Sequence, residues 1–306
     1  MKSTICTLFE GDYHYGVGAL TNSLCNHGFE GIVWVGYRGN LPPWANPLME
    51  HEKYWEYTVS DNCCLRFIKL ETDYHLTNYK PNFMLDLWQN YCPEVESIFY
   101  FDPDIVIKCR WSFYEEWVSN GVALCEDVNS PLYQNHPLRM AWRKFYEPHQ
   151  IDLTSPIETY VNGGFIGVHR SQKSFLDLWC RIQEIMAAAI DGLQNANIKD
   201  RTFMFCKTDQ DALNIALMSK DFSASIIGKE GMDFEFGGFT MSHALGACKP
   251  WKSKVILDVI KQGKAPRLAN KQYWKYVRSP IKLYSNLELF AKQLDLQIGK
   301  LIPRIL

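Results

Sequence analysis

Short apolar runs alternate with longer amphipathic stretches along this chain. Ser3 to Phe9 alternates and then turns apolar, the pattern of a first parallel strand. Gly16 to His27 starts on small residues and sets Leu20 and Leu24 at helical spacing. Gly31 to Tyr37 and Leu65 to Leu70 read as strands, and Leu41 to Tyr57, rich in Pro and Trp, as irregular chain. Pro81 to Tyr91 predicts a helix, with Pro at a first helical position and Met84, Leu85 and Trp88 on one face. Ser97 to Phe101 suits a buried strand, and Gly121 to Cys125 another. Tyr160 to His169 reads as a strand interrupted at Gly163-Gly164. Ser171 to Ile190 has helical periodicity with Ser171 as candidate cap, Asp209 to Met218 follows as a helix, and Ser223 to Ile227 as a late strand. Strands alternating with helices predict an α/β fold with a mainly parallel sheet. No internal repeat interrupts it.

Two punctuation points carry candidate chemistry. Asp102 and Asp104 follow the Ser97–Phe101 run where such a strand ends, and Pro103 between them turns the chain. Ligands of open α/β sheets sit beyond the carboxyl ends of strands. Hard cations such as Mg²⁺ or Mn²⁺ bind there through one or two carboxylates plus substrate phosphates. Far along the chain, His243-Ala244-Leu245-Gly246-Ala247-Cys248-Lys249-Pro250-Trp251 adds an imidazole, a glycine that lets backbone approach a ligand, and a compact cation suited to phosphate. Asp102, Asp104 and His243 form a candidate set for one divalent cation. Lys249 and Gly246 would face the diphosphate that cation holds.

Phe101-Asp102-Pro103-Asp104 together with His243-x-x-Gly246-x-x-Lys249-Pro250-Trp251 resembles the glycosyltransferases of the GT-A (Rossmann-like) fold. The likeness is greatest to glycosyltransferase family eight, the family of glycogenin and of bacterial lipopolysaccharide galactosyltransferases. The resemblance covers roughly residues 3 to 251. It implies transfer of a sugar from a nucleotide sugar, usually UDP-linked, with Mn²⁺ and retention of anomeric configuration. It also implies site residues: Thr7, Leu8 and Phe9 as a strand-end pocket for the base, Tyr15 stacking on that base, and Lys80 near the donor. Asn162 would bond the sugar, and Gly163 and Gly164 would leave space for it. Asp209 would hold sugar hydroxyls, and Gln210 would lie near the anomeric carbon. Asp127 is a weaker candidate on the donor side. Trp111, Trp142 and Trp179 read as core.

Composition changes the picture at one end. The chain has 306 residues, 47% of them apolar, enough for one large domain with a complete core. No apolar run is long enough to span a bilayer, and no signal peptide precedes the first strand. The ten cysteines form no Cys-x-x-Cys pair and are expected reduced, in a cytoplasmic protein working at the inner face of a membrane. The net charge is −2, yet Lys249 to Leu306 carries thirteen Lys and Arg against three Asp and Glu. Tyr273, Trp274, Tyr276 and Tyr284 lie in the same stretch. We therefore expect a catalytic domain over 1–251 and a basic, aromatic, helical C-terminal appendage over 252–306, suited to an anionic membrane surface. Nucleic acid is the less favoured partner. A glycan or lipid-linked glycan is the expected acceptor. The competing functions are a sugar-1-phosphate nucleotidyltransferase and a carbohydrate-binding relative without catalysis. The first would normally carry a Gly-rich basic loop after the first strand, where this chain has Glu10-Gly11-Asp12.

Overall fold

A computed structural model describes residues 3–254, 256–257 and 267–301. In chain order the strands and helices begin with β1 (Ser3–Glu10), α1 (His14–Asn26), β2 (Gly31–Arg38), β3 (Met49–Glu50), β4 (Trp55–Ser60) and β5 (Cys63–Lys69). They continue with α2 (Lys80–Asp86), β6 (Ser97–Phe101), β7 (Ile105–Ile107), α3 (Trp111–Val118), β8 (Val122–Cys125) and α4 (Pro137–Tyr146). The last are β9 (Phe165–His169), α5 (Lys173–Ala187), α6 (Thr208–Ala216), β10 (Ala224–Ile227), β11 (Met241–His243), α7 (Leu268–Tyr273) and α8 (Asn286–Leu301). Nine strands form one sheet in the order β10-β8-β9-β6-β1-β2-β5-β4-β3, and β7 pairs with β11 in a separate ribbon. Apart from β9 and β4, the strands of the large sheet run one way. This is the mainly parallel α/β sheet flanked by helices that the pattern predicts.

Strand β6 shows why the apolar runs are unbroken. Ile98 and Tyr100 face one core with Phe83, Trp88 and Trp179, while Phe99 and Phe101 face the other with Leu20 and Tyr114. A strand covered on both faces needs apolar side chains at every position. The three tryptophans read as core are buried. All ten cysteines are free.

Several predicted boundaries move. The stretch 41–57 is not wholly irregular: it contains β3 and the start of β4, an antiparallel edge built on β5. The strand expected from Tyr160 begins only at Phe165, and 160–164 keeps a single bridge, Val161 to Glu126. Ser171 does not cap α5. Gln172 holds that position, and Ser171 bonds back to the His169 ring. The expected helix from Pro81 to Tyr91 starts one residue earlier and widens into a π-type turn at Leu87–Tyr91. The segments α3, α4, β7 and β11 are not expected from the pattern, although α4 is amphipathic and opens on Pro137.

The described part of 252–306 packs against the sheet domain. Asn22 of α1 donates to Tyr276 O at 2.7 Å and Ile281 O at 2.8 Å, and accepts from Ile281 N at 2.7 Å. Tyr273, Val277, Ile281 and Leu283 are buried in the core that contains Val17 and Leu20. The aromatics of this stretch make ring contacts within the fold. Tyr273 meets Trp251, Tyr276 meets His27, and Tyr284 stacks on Tyr15 and meets Trp274. The rest of that appendage, 255, 258–266 and 302–306, lies outside the described residues.

Candidate functional site

The carboxyl end of β6 delivers Asp102 and Asp104 to the head of the sheet. The reversed strand β9 lies beside it, pairing Phe101 with Phe165. Because β9 is antiparallel, its start rather than its end arrives at that edge. Gly164 O therefore accepts from Asp102 N at 2.7 Å, and Asn162 and Gly163 enter the same cleft. After Pro103 the chain enters β7, whose Ile105 pairs with His243 of β11. That ribbon sets an imidazole beside Asp104.

Asp102, Asp104 and His243 present ligand atoms within 4.8 Å of one another. His243 Nε2 lies 3.3 Å from Asp104 Oδ1 and 3.9 Å from Asp102 Oδ2. Lys249 Nζ is 2.5 Å from Asp104 Oδ2 and donates to Ala244 O at 3.0 Å. Burial alone would raise the Asp104 carboxyl, but His243 and Lys249 outweigh it and hold the group well below the usual carboxylate range. Two oxygen donors and one imidazole around a common point fit a hard divalent cation with positions left for phosphate oxygens. The cradle is sterically built as well: a Cβ on Gly164 would lie 2.5 Å from His243 Cε1.

Asp209 and Gln210 stand in the first turn of α6, which opens at Thr208. Both are 7% exposed. Gln210 Oε1 accepts from Gly163 N at 3.1 Å, and its amide lies buried beside the Tyr160 hydroxyl. Lys80 Nζ, 1% exposed, donates to Gly163 O at 2.8 Å and to Asp209 Oδ2 at 3.0 Å. Burial works against its charge, and Asp102 and Asp209 overcome that, so its pKa is raised. A Cβ on Gly163 would lie 2.9 Å from Asp209 Oδ2. The two glycines thus make room for protein side chains of the site, Asp209 and His243.

Asp102, Asp104, Gly163, Gly164, Asp209, Gln210, His243 and Lys249 line one cleft of about 600 Å³, while Lys80, buried against Asp102 and Asp209, is not part of the lining. Leu8, Phe9, Pro103, Asn162 and Gly246 line it too. Gly246 has φ +90°, which side-chain-bearing residues rarely adopt. Besides Lys80, two of the residues expected there lie elsewhere. Thr7 is fully buried within β1 and does not reach the lining. Tyr15 points away and stacks on Tyr284, ring centroids 5.1 Å apart. Tyr13 takes the cleft position instead, its ring 5.7 Å from Lys249 Nζ and edge-on to Trp251. Which of two tyrosines two residues apart faces the cleft depends on the turn before α1, so sequence spacing alone could not choose.

The cleft lining also contains residues that sequence reasoning missed: His75, Thr77, Asn197 and Lys207. Only Lys207, two positions before Asp209, had a neighbouring signal. Asp127 sits there, 1% exposed. It accepts from Asn162 Nδ2 at 2.7 Å, Asn129 N at 3.0 Å and Asn129 Nδ2 at 2.5 Å. Behind it, Tyr160 Oη donates to Asp211 at 2.6 Å, and burial pushes the Asp211 carboxyl up to about 7.

No family model matches the sequence, and no curated protein matches it. Solved structures do, 336 chains of them, so the fold is widely shared and does not by itself choose a substrate. One is the apo structure of WbbM, a bifunctional glycosyltransferase, with a TM-score of 0.51 at 14% sequence identity. That match covers 96% of this chain and 52% of the WbbM chain, so this chain spans about half the length of that protein. At this identity the likeness establishes the GT-A, Rossmann-like fold alone.

Proposed function

We propose that this chain is a metal-dependent glycosyltransferase that moves a sugar from a nucleotide sugar, UDP-linked, to a glycan or lipid-linked glycan with retention of anomeric configuration. One observation carries the reading: Asp102, Asp104, His243, Lys249, Asp209 and Gln210 come from distant parts of the chain and line one cleft. Mn²⁺ or Mg²⁺ held by Asp102, Asp104 and His243 would neutralise charge on the departing diphosphate. Lys249 adds a second positive charge there, and Gly246 lets the backbone come close. Tyr13 offers a ring beside Phe9 for the base. Asp209 holds sugar hydroxyls, and Gln210, which lines the cleft beside Gly163, lies near the anomeric carbon, where an oxocarbenium-like transition state develops. The WbbM likeness supports the fold within which such chemistry is housed, and the UDP and retention assignments rest on motif resemblance.

Calorimetry with UDP, GDP, CMP and dTDP, with and without Mn²⁺, tests the reading. Mn²⁺-dependent UDP binding is the expected result, followed by transfer from a UDP-sugar with the product anomer read by NMR. Absence of any metal-dependent nucleotide binding would sink it.

We also propose that the C-terminal segment meets an anionic membrane surface. Among the described residues no helix is long and apolar enough to cross a membrane. Helix α8, however, leaves Leu287, Phe290, Leu294 and Ile298 exposed at helical spacing, within the strongly basic stretch. Phe290→Ser should reduce co-sedimentation with phosphatidylglycerol vesicles, and equal recovery with neutral vesicles would argue against the proposal.

A further inference from the structure

Lys80 occupies a costly place. It is fully buried at the first position of α2, where the helix dipole disfavours a cation. Its ammonium has three protons and three oxygen partners: Gly163 O at 2.8 Å, Asp209 Oδ2 at 3.0 Å and Asp102 Oδ1 at 3.2 Å. No donor remains for a ligand, although motif resemblance places this lysine near the donor.

The two carboxylates it holds belong to different tasks. Asp102 turns Oδ1 to Lys80 and to the Tyr100 hydroxyl, which donates at 2.9 Å, and turns Oδ2 toward His243 and the cation position. Asp209 uses Oδ2 on Lys80, and among the described residues its side chain makes no other hydrogen bond to a side chain. One ammonium therefore joins the cation side of the cleft to the sugar side.

We infer that Lys80 is a positioning residue that couples the two: it shares one positive charge between Asp102 and Asp209. This rests on the transferase reading. A divalent cation drawing on Asp102 leaves more of the ammonium for Asp209 and fixes its orientation toward the sugar. By thermodynamic reciprocity, whatever alters Asp209 must alter cation affinity.

Two variants, measured by Mn²⁺ calorimetry and by UDP against UDP-glucose and UDP-galactose binding at saturating Mn²⁺, test this. Lys80→Met removes the cation that competes for Asp102. Mn²⁺ should bind about fivefold tighter, while the ratio of UDP-sugar to UDP affinity falls about fivefold, the low end of coupling between sites. Damage to the fold would instead weaken both, and that result counts against the inference. Asp209→Asn leaves Lys80 wholly on Asp102, so Mn²⁺ should bind about fivefold weaker although no metal ligand has changed. Wild-type Mn²⁺ affinity in Asp209→Asn overturns the inference, including where Lys80→Met does not fold. A wild-type protein without Mn²⁺-dependent UDP binding overturns the transferase reading and this inference together. Binding in the wild type with uncoupled variants overturns this inference alone.

Discussion

Two parts of the cleft hold their carboxylates by different means. In one part, Asp102 and Asp104 are balanced by the full charges of Lys80 and Lys249, with the His243 ring beside Asp104. In the other, Asp127 is held by neutral donors, the amides of Asn129 and Asn162 and a backbone N–H, with Lys207 only at 3.8 Å. A carboxylate balanced by a mobile cation can exchange that cation for a stronger one. A carboxylate held by fixed dipoles keeps its place whatever binds. Under the proposed function, the first arrangement can respond to a bound cation, and the second presents a preset surface.

Asp104→Ala breaks the contrast at its responsive end. It should lower transfer on the order of 10³-fold and abolish Mn²⁺-dependent UDP binding. It also strands Lys249, which is 8% exposed, so a thermal melt should show a loss of about 1–3 kcal/mol. Retained Mn²⁺ dependence would remove this aspartate from the site.

The adjacent glycines separate the cation and sugar contributions. Gly164→Ala pushes on His243 and should weaken Mn²⁺ about 10–100-fold in calorimetry. Gly163→Ala pushes on Asp209 and should disturb UDP-sugar binding more than UDP binding, with about 1–3 kcal/mol of destabilisation from overpacking. Identical effects from both would erase the distinction.

Asp127→Asn probes the dipole-held part. Turnover should fall about tenfold, a loss of about 1.4 kcal/mol in transition-state binding. Mn²⁺ affinity should stay at the wild-type value. A matching drop in Mn²⁺ affinity would show that the two parts share their charges.

The smallest effect is a pH dependence. Asp211 has a folded pKa of about 7, raised by burial above the ordinary aspartate value of about 4. Its contribution to stability is complete below about pH 4 and is lost as pH rises through about 7, at most about 2–4 kcal/mol. Asp211→Asn keeps an acceptor for Tyr160 and should flatten that part of the stability profile in urea melts. An unchanged slope between pH 4 and 7 would place the titration elsewhere.

Much of the fold was legible because burial on both faces forces continuous apolar strands, as in Ser97–Phe101. The cation set was legible because its carboxylates fall at such a strand's end and its imidazole lies in a spaced His-to-Trp segment. Other features were not. Thr7 and Tyr15 carry the right residue types but face the wrong way. Lys207 and Asn197 belong to a loop whose path is fixed by contacts such as Thr208 Oγ1 with Asn78 Oδ1 at 2.7 Å.

By itself the sequence determined the alternation of strands and helices and the residue types that bind a hard cation, because those follow from local period and side-chain chemistry. Only the tertiary structure decided which side chains meet. The pairing of β7 with β11 brings His243 to Asp104, and the reversal of β9 brings Gly164 opposite Asp102. Lys249 lies 145 positions from Asp104, and Lys80 lies 129 from Asp209. Contacts across such separations are set by how the whole core closes, and no local pattern encodes them.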